Sequence, residues 1–344
     1  MKKAVAAVLF AAGILQAPTS AKAAAGEQPA ELVTTQQQLQ IYSAFWPNLH
    51  NVLWAEAWAS RPLNAGDQPT AGVLPERLPS TATAEERKAW DAAVAYYDEE
   101  IADLHPLFDA ESSAIRRTLL AATAELPSTG LTAAHRQVLV NAAPVYRKHL
   151  WTIHDRANRE WVTPALAKIA ALSPAVPERL SALYGTPWFT TPLRVDVVRV
   201  SSREGAFTSI DPAPGHITLA SSSPNGQDWA AVEIILHEAS HLLFLPEMKL
   251  FGAELQAQGK IRKGPIETSN ALVWHAALFY STGEIIRRAL QERGIAYEPY
   301  VYKTGMFERA WPHFRAPVET HWKAYVDGTL PRDEAIKRIV AELK

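Results

Sequence analysis

Apolar residues recur at three- and four-residue spacings through the first half of the chain, then alternate in short β-branched runs near its middle. That change of period is the first structural signal. Residues 39–59 place Ile41, Phe45, Leu49, Val52, Leu53, Trp54 and Trp58 mostly at helical spacing, and the run ends at Arg61-Pro62. The spacing predicts a helix there, followed by a Pro- and Gly-containing loop over 62–79. Thr83-Ala84-Glu85-Glu86 opens a second helix, with carboxylates in the first turn where the helix dipole favours them, running to about residue 104. Further helices are predicted over 110–125, 132–143 and 145–172, the last with a kink at Pro164.

The period shortens after Pro192. Residues 193–200, 206–210 and 216–221 read as strands, separated by the turn residues Arg203-Glu204-Gly205 and the Pro- and Gly-rich stretch 211–215. From Asp228 the pattern is helical again: an apolar helix to residue 245, another over 265–293 and a last one over 331–344. Runs of helices around one small sheet, without βα alternation, predict an α+β fold, predominantly helical with a small mixed sheet.

Composition narrows the setting. The 344 residues are 48% hydrophobic, enough for a substantial core. With 34 basic and 36 acidic side chains and no long run of either sign, there is no footprint for nucleic acid or an anionic membrane. Lys2 and Lys3, an apolar stretch over 4–15 and the small-residue sites Ala21-Lys22-Ala23 and Ala23-Ala24-Ala25 read as an export signal over 1–25. The expectation is a periplasmic or secreted protein with no stable membrane insertion once that segment is removed. The lack of cysteine excludes disulfides, thiolate catalysis and thiolate-bound zinc.

The candidate chemistry lies at residues 237–241, His-Glu-Ala-Ser-His. Helix positions four apart differ by about 40° and one turn of rise, so His237 and His241 can share one ion. Glu238 falls to the side of that stripe, beside a zinc-bound water and off the zinc itself. Zinc lowers the pKa of its water from about 15.7 toward 7, and the carboxylate can take its proton as it attacks a carbonyl. The chance of this motif in a chain of 344 residues with 11 histidines is about 0.02 to 0.03. Ile234, Ile235 and Leu236 before it and Leu242, Leu243, Phe244 and Leu245 after it predict a buried helix, in which these polar side chains require partners. Asp228 is the expected N-cap and Pro246 the expected stop. Glu233, one turn before His237, is a candidate acceptor orienting a ligand histidine.

His237-Glu238-Ala239-Ser240-His241, after a small sheet and before a long helix, resembles the zincin superfamily of zinc metallopeptidases over roughly residues 193–293. It is closer to the gluzincin branch than to the metzincins, since Phe244 and Glu247 stand where a metzincin has Gly and His. The helical first half matches no peptidase pattern. The resemblance implies a helix pair carrying the metal and a strand beside the cleft, here 215–221, that pairs with an extended substrate.

A catalytic zinc takes a third protein ligand. His275, the sole ionisable group within the apolar run 271–279, is preferred, with Glu267 next and Glu284 third. Glu267 and Glu284 lie about 12 Å and 13.5 Å from His275 along a helix, so only one of the three can reach the ion. The gluzincin resemblance favours Glu267, although Ile266 stands where that pattern has Asn. Tyr300 and Tyr302 are candidates for oxyanion stabilisation. Asn48, His50, His154, Asp155, Asn158 and Trp161 read as core packing in preference to cleft lining.

The organisation expected is a helical region over 26–192 and a zincin-like catalytic region over 193–344, or one continuous domain. The function expected is an exported zinc metallopeptidase or related amide hydrolase acting on a peptide or amide substrate. The alternative is a zinc-retaining, catalytically inactive binding protein of the cell envelope.

Overall fold

A strand occupies the start of the segment that the sequence predicts as the first helix. A computed structural model describes residues 32–61, 76–201, 205–261 and 269–344. The expected export signal lies outside these residues. In it, β1 (Leu32–Gln36) and β2 (Leu39–Tyr42) form an antiparallel hairpin, and helix α1 starts only at Phe45 and runs to Ala59. Gln37 and Gln38 turn the hairpin with φ of 50° and 64°. Two successive positive φ values mark a tight hairpin turn that Asn-Gly usually signals, so the glutamines conceal it. Leu39 and Ile41 are buried and Gln40 and Tyr42 half-buried, which is the period-two pattern of a strand.

The remaining strands, β3 (Leu193–Val198), β4 (Ala206–Ser209) and β5 (His216–Ala220), fall within their predicted ranges. The sheet order is β1-β2-β3-β5-β4, with β2/β3 and β3/β5 parallel and the outer pairs antiparallel. The fold is therefore predominantly helical α+β with a small mixed sheet, as the periodicity implies. The pairing of β2 with β3 joins segments on both sides of residue 192, and Glu31–Lys344 forms one compact unit.

Helices follow in order: α2 (Ala84–Tyr96), α3 (Ala110–Ala121), α4 (Ala133–Tyr146), α5 (Thr152–Leu172), α6 (Ala175–Tyr184), α7 (Trp229–Leu243), α8 (Leu245–Ala257) and α9 (Val273–Gln291). Short helical pieces occupy residues 300–326, before a final helix, Arg332–Glu342. Thr83 and Glu86 cap α2 reciprocally, each side chain accepting from the other's backbone N–H. The break expected before residue 145 is absent, because α4 runs through Pro144 and joins α5 by a π-helical turn, Arg147–Trp151. Pro164 lies inside α5 without ending it.

One face of the sheet carries Leu39, Ile41, Leu193, Val195, Val197, Ile217 and Leu219 into a core shared with α5 to α9. A second core is built by α1 to α4. The opposite sheet face holds a polar group around the buried Asp196: Arg194 binds Asp196 through Nε and a terminal nitrogen at 2.7 and 3.0 Å, and His216 Nε2 lies 2.9 Å from the same carboxylate. Burial pushes the Asp196 carboxyl up, but the Arg194 charge and the hydrogen bonds outweigh it and hold the pKa down at about 2. Asn158 donates to Ser43 Oγ, Asn48 Oδ1 and Val197 O and accepts from Ser221 Oγ, while Asn48 Oδ1 also accepts from Arg199 N. Asn48 and Asn158 thus tie α1 and α5 to the end of β3 as core groups with satisfied amides.

Candidate metal centre

Helix α7 sets the histidines. It is buried on nearly every side, and Ala230, Ala231, Val232, Ile235, Leu236, Ala239 and Leu243 all belong to the core that the helix shares with the sheet and the surrounding helices. Asp228 occupies the N-cap position but makes no capping bond, and its carboxylate pairs with Lys168 at 3.0 Å. Pro246 does not act only as a stop: it stands in the first turn of α8, where its missing N–H is no loss.

His237 is buried and His241 and His275 are half-buried, and one nitrogen from each lies within 4.8 Å of the others. His237 Nε2 and His275 Nε2 are 3.2 Å apart. Two nitrogens on one tetrahedral zinc with bonds of about 2.0–2.1 Å stand about 3.3–3.4 Å apart, so this pair is already at chelating distance. The widest separation in the group exceeds that, and closing on one ion takes a side-chain adjustment of about 1 Å. Burial holds the His275 pKa down at about 4 and, together with the neighbouring imidazoles, pushes those of His237 and His241 well below the usual range. All three rings are neutral near pH 7, which is the form that ligates. Aromatic walls fix them: Phe279 stacks on His237 at 3.6 Å between centroids, Trp274 on His275 at 5.0 Å, and Trp311 lies 5.3 Å from His275.

The three-histidine cluster is the one group among the described residues with metal-ligand spacing. Glu284 is not part of it. Arg287 and Arg288 hold that carboxylate with bonds of 2.7–2.8 Å, because its position on α9 faces away from His275. Glu267 lies outside the described residues. Of the three candidates for the third ligand, His275 is the one that lies with His237 and His241 among the described residues.

Glu238 is nearly buried, and its Oε2 lies 3.8 Å from His241 Nε2. Thr208, on β4, brings its hydroxyl to 2.6 Å from that oxygen and 2.7 Å from the Glu238 main-chain oxygen. Sequence reasoning missed Thr208, since nothing distinguishes it from any threonine in a short strand.

Glu233 is fully buried and makes no hydrogen bond to a ligand imidazole among the described residues. Its Oε2 accepts from Tyr297 Oη at 2.6 Å and from Tyr300 N at 2.9 Å, whereas His237 Nδ1 has no hydrogen-bond partner. Residues four apart on a helix run side by side, and Glu233 turns to the segment crossing above α9. Burial raises its pKa to about 7 against the pull of those two donors. The anchored Tyr300 stacks on Phe279 at 6.0 Å, and the Glu238 charge contributes to raising its pKa, whereas Tyr302 packs against Phe307 and beneath Arg315. Of the two tyrosines, Tyr300 belongs to the histidine cluster.

Gly283 permits this crossing. A Cβ there would meet Pro299 Cβ at 2.7 Å and Glu233 Oε1 at 2.9 Å. Gly283→Ala normally gains about 0.5–1 kcal/mol inside a helix, but the overpacking costs about 1–3 kcal/mol. The expected net result is a loss of about 1 kcal/mol in denaturant unfolding. A stabilised variant would contradict the crowding.

The strand expected to meet substrate is corrected. β5 is paired on both sides, with β3 and β4, and has no edge to offer. β4 is the edge strand on that side of the sheet among the described residues. Ala220 N bonds Gly205 O, so alternate residues of β4, Phe207 and Ser209, turn their backbone groups to β5 while those of Ala206 and Thr208 face outward.

Comparison of the chain with family models, curated proteins and solved structures finds no match.

Proposed function

We propose that the chain is a zinc-dependent hydrolase of peptide or related amide bonds, with His237, His241 and His275 as metal ligands and Glu238 as general base. The observation that carries the reading is the convergence of three neutral imidazoles, two of them partly open to solvent, beside a nearly buried carboxylate. Three protein ligands leave a fourth position, as catalytic zinc sites require. The neutral nitrogen donors fit a borderline-soft dication, and the His237–His275 spacing fits tetrahedral bonding.

When bound, the zinc supplies Lewis acidity, acidifying water and polarising a carbonyl. The chain's own groups supply the rest. Glu238 takes the proton from the attacking water on its Oε2 side and returns it to the leaving nitrogen. Phe279 and Trp274 hold the imidazoles in place by stacking. Tyr300, whose pKa burial raises further above the neutral range, is positioned by the Glu233 anchor to donate to the carbonyl oxygen. The outward peptide groups of Ala206 and Thr208 hold an extended substrate at the edge of β4.

The test is metal analysis coupled to turnover. Purified protein is expected to carry about one zinc per chain, to lose it and all peptide hydrolysis to a chelator, and to regain both with zinc. Hydrolysis that survives complete metal removal overturns the proposal. Full zinc occupancy without turnover of any peptide leaves a metal-holding binding protein.

A further inference from the structure

We infer that Thr208 couples occupation of the outer edge of β4 to the placement of Glu238, so that the base is fixed when an extended backbone pairs with the strand. The inference deepens the hydrolase reading and rests on it. Its basis is that one residue serves both parts of the site. The Thr208 hydroxyl reaches Glu238 Oε2 at 2.6 Å and the Glu238 main-chain oxygen at 2.7 Å. The N–H and C=O of the same residue face the unpaired side of β4. No other element intervenes between the substrate-facing backbone and the carboxylate.

The strand that carries Thr208 is short and lies at the margin of the sheet. β4 is four residues long and, among the described residues, pairs with β5 alone. Its inner hydrogen bonds run through Phe207 and Ser209, so Thr208 itself has no main-chain bond to the sheet. Among the described residues, the hydrogen bonds to Glu238 tie the Thr208 side chain to α7. A hydroxyl has one proton and here faces two acceptors, and hydrogen bonds weaken steeply as distance and angle depart from the optimum. A small displacement of β4 therefore changes which oxygen of Glu238 is engaged. A second strand bonding the N–H and C=O of Thr208 supplies the missing restraint on exactly that residue's backbone, and the hydroxyl transmits it to the base. Binding energy gained along the substrate, away from the scissile bond, is then spent on kcat.

Three consequences separate this from ordinary packing. With zinc-loaded protein and a series of blocked peptides of increasing length, kcat of the wild type is expected to rise by about tenfold once the peptide is long enough to pair with Ala206 and Thr208. Thr208→Val keeps the shape and removes the hydroxyl: whatever its kcat on the shortest peptide, that kcat is expected not to rise with length, while KM still falls with length. Thr208→Ser, which restores the hydroxyl, is expected to recover the rise in kcat. A Thr208→Val protein whose kcat climbs with length as in the wild type overturns the inference and leaves the hydrolase reading standing. Absence of turnover of every peptide by zinc-loaded wild type overturns both.

A readout independent of turnover uses the metal-free protein. Thr208→Val, Glu238→Ala and the double variant are compared by thermal unfolding. The valine substitution is expected to lower the melting temperature in the wild-type background and to lower it less when Glu238 is already alanine. Equal decrements in the two backgrounds would show that no link joins Thr208 to the Glu238 side chain and would overturn the inference even in an active enzyme.

Discussion

Exchange of Glu238 for glutamine is expected to leave the zinc content unchanged and to lower kcat/KM for a peptide substrate by about 10²–10⁴-fold. Glutamine has nearly the same shape and can still accept from the Thr208 hydroxyl, which lies 2.6 Å from the carboxylate oxygen. Fold and metal binding therefore survive, since neither requires the charge. What is lost is the only step the charge performs, acceptance of a proton from water. The loss is expected in kcat, because the substrate contacts at β4 are untouched. Zinc analysis beside steady-state kinetics checks this, and a fully active variant removes Glu238 from its role.

Replacement of His275 by alanine is the second large effect. Zinc affinity is expected to fall by more than about a hundredfold, beyond the loss that removal of a ligand's outer hydrogen-bond partner causes. Among the described residues, the rings around the position, Trp274, Phe279 and Trp311, cannot ligate in its place. Glu284→Gln is the internal control. That carboxylate is held by Arg287 and Arg288 and is expected to leave zinc affinity unaltered. Competition with a chromogenic chelator measures both, and wild-type affinity in His275→Ala would exclude it as a ligand.

Much of the site is legible from residues 237–241, because the geometry of one helix places two imidazoles and a carboxylate without help from the rest of the chain. His275 is legible for a different reason, as an ionisable group in an apolar run that needs a partner. Glu233 was legible as a buried acid but not in its contacts. Its partners Tyr297 and Tyr300 lie more than sixty positions away and come near only because Gly283 lets the crossing segment approach. Thr208 carried no local signal at all. Its place beside Glu238 follows from β4 packing on α7, a contact between segments 30 residues apart.

The same division runs through the fold. Strands β3, β4 and β5 and the helices α2, α3 and α7 follow from period and capping, which are local properties of side-chain direction along the backbone. The hairpin at Gln37–Gln38 does not, because its turn uses positive φ without the residues that favour it, and its pairing with β3 spans more than 150 residues. Strand order likewise lies beyond local pattern. Period alone marks β4 and β5 alike as strands, and only their pairing leaves β4 at the edge and encloses β5. Residue spacing along a helix thus specifies which groups share a face, whereas which faces meet depends on packing between distant segments, and there the candidate centre acquires Thr208, Tyr300 and its open strand.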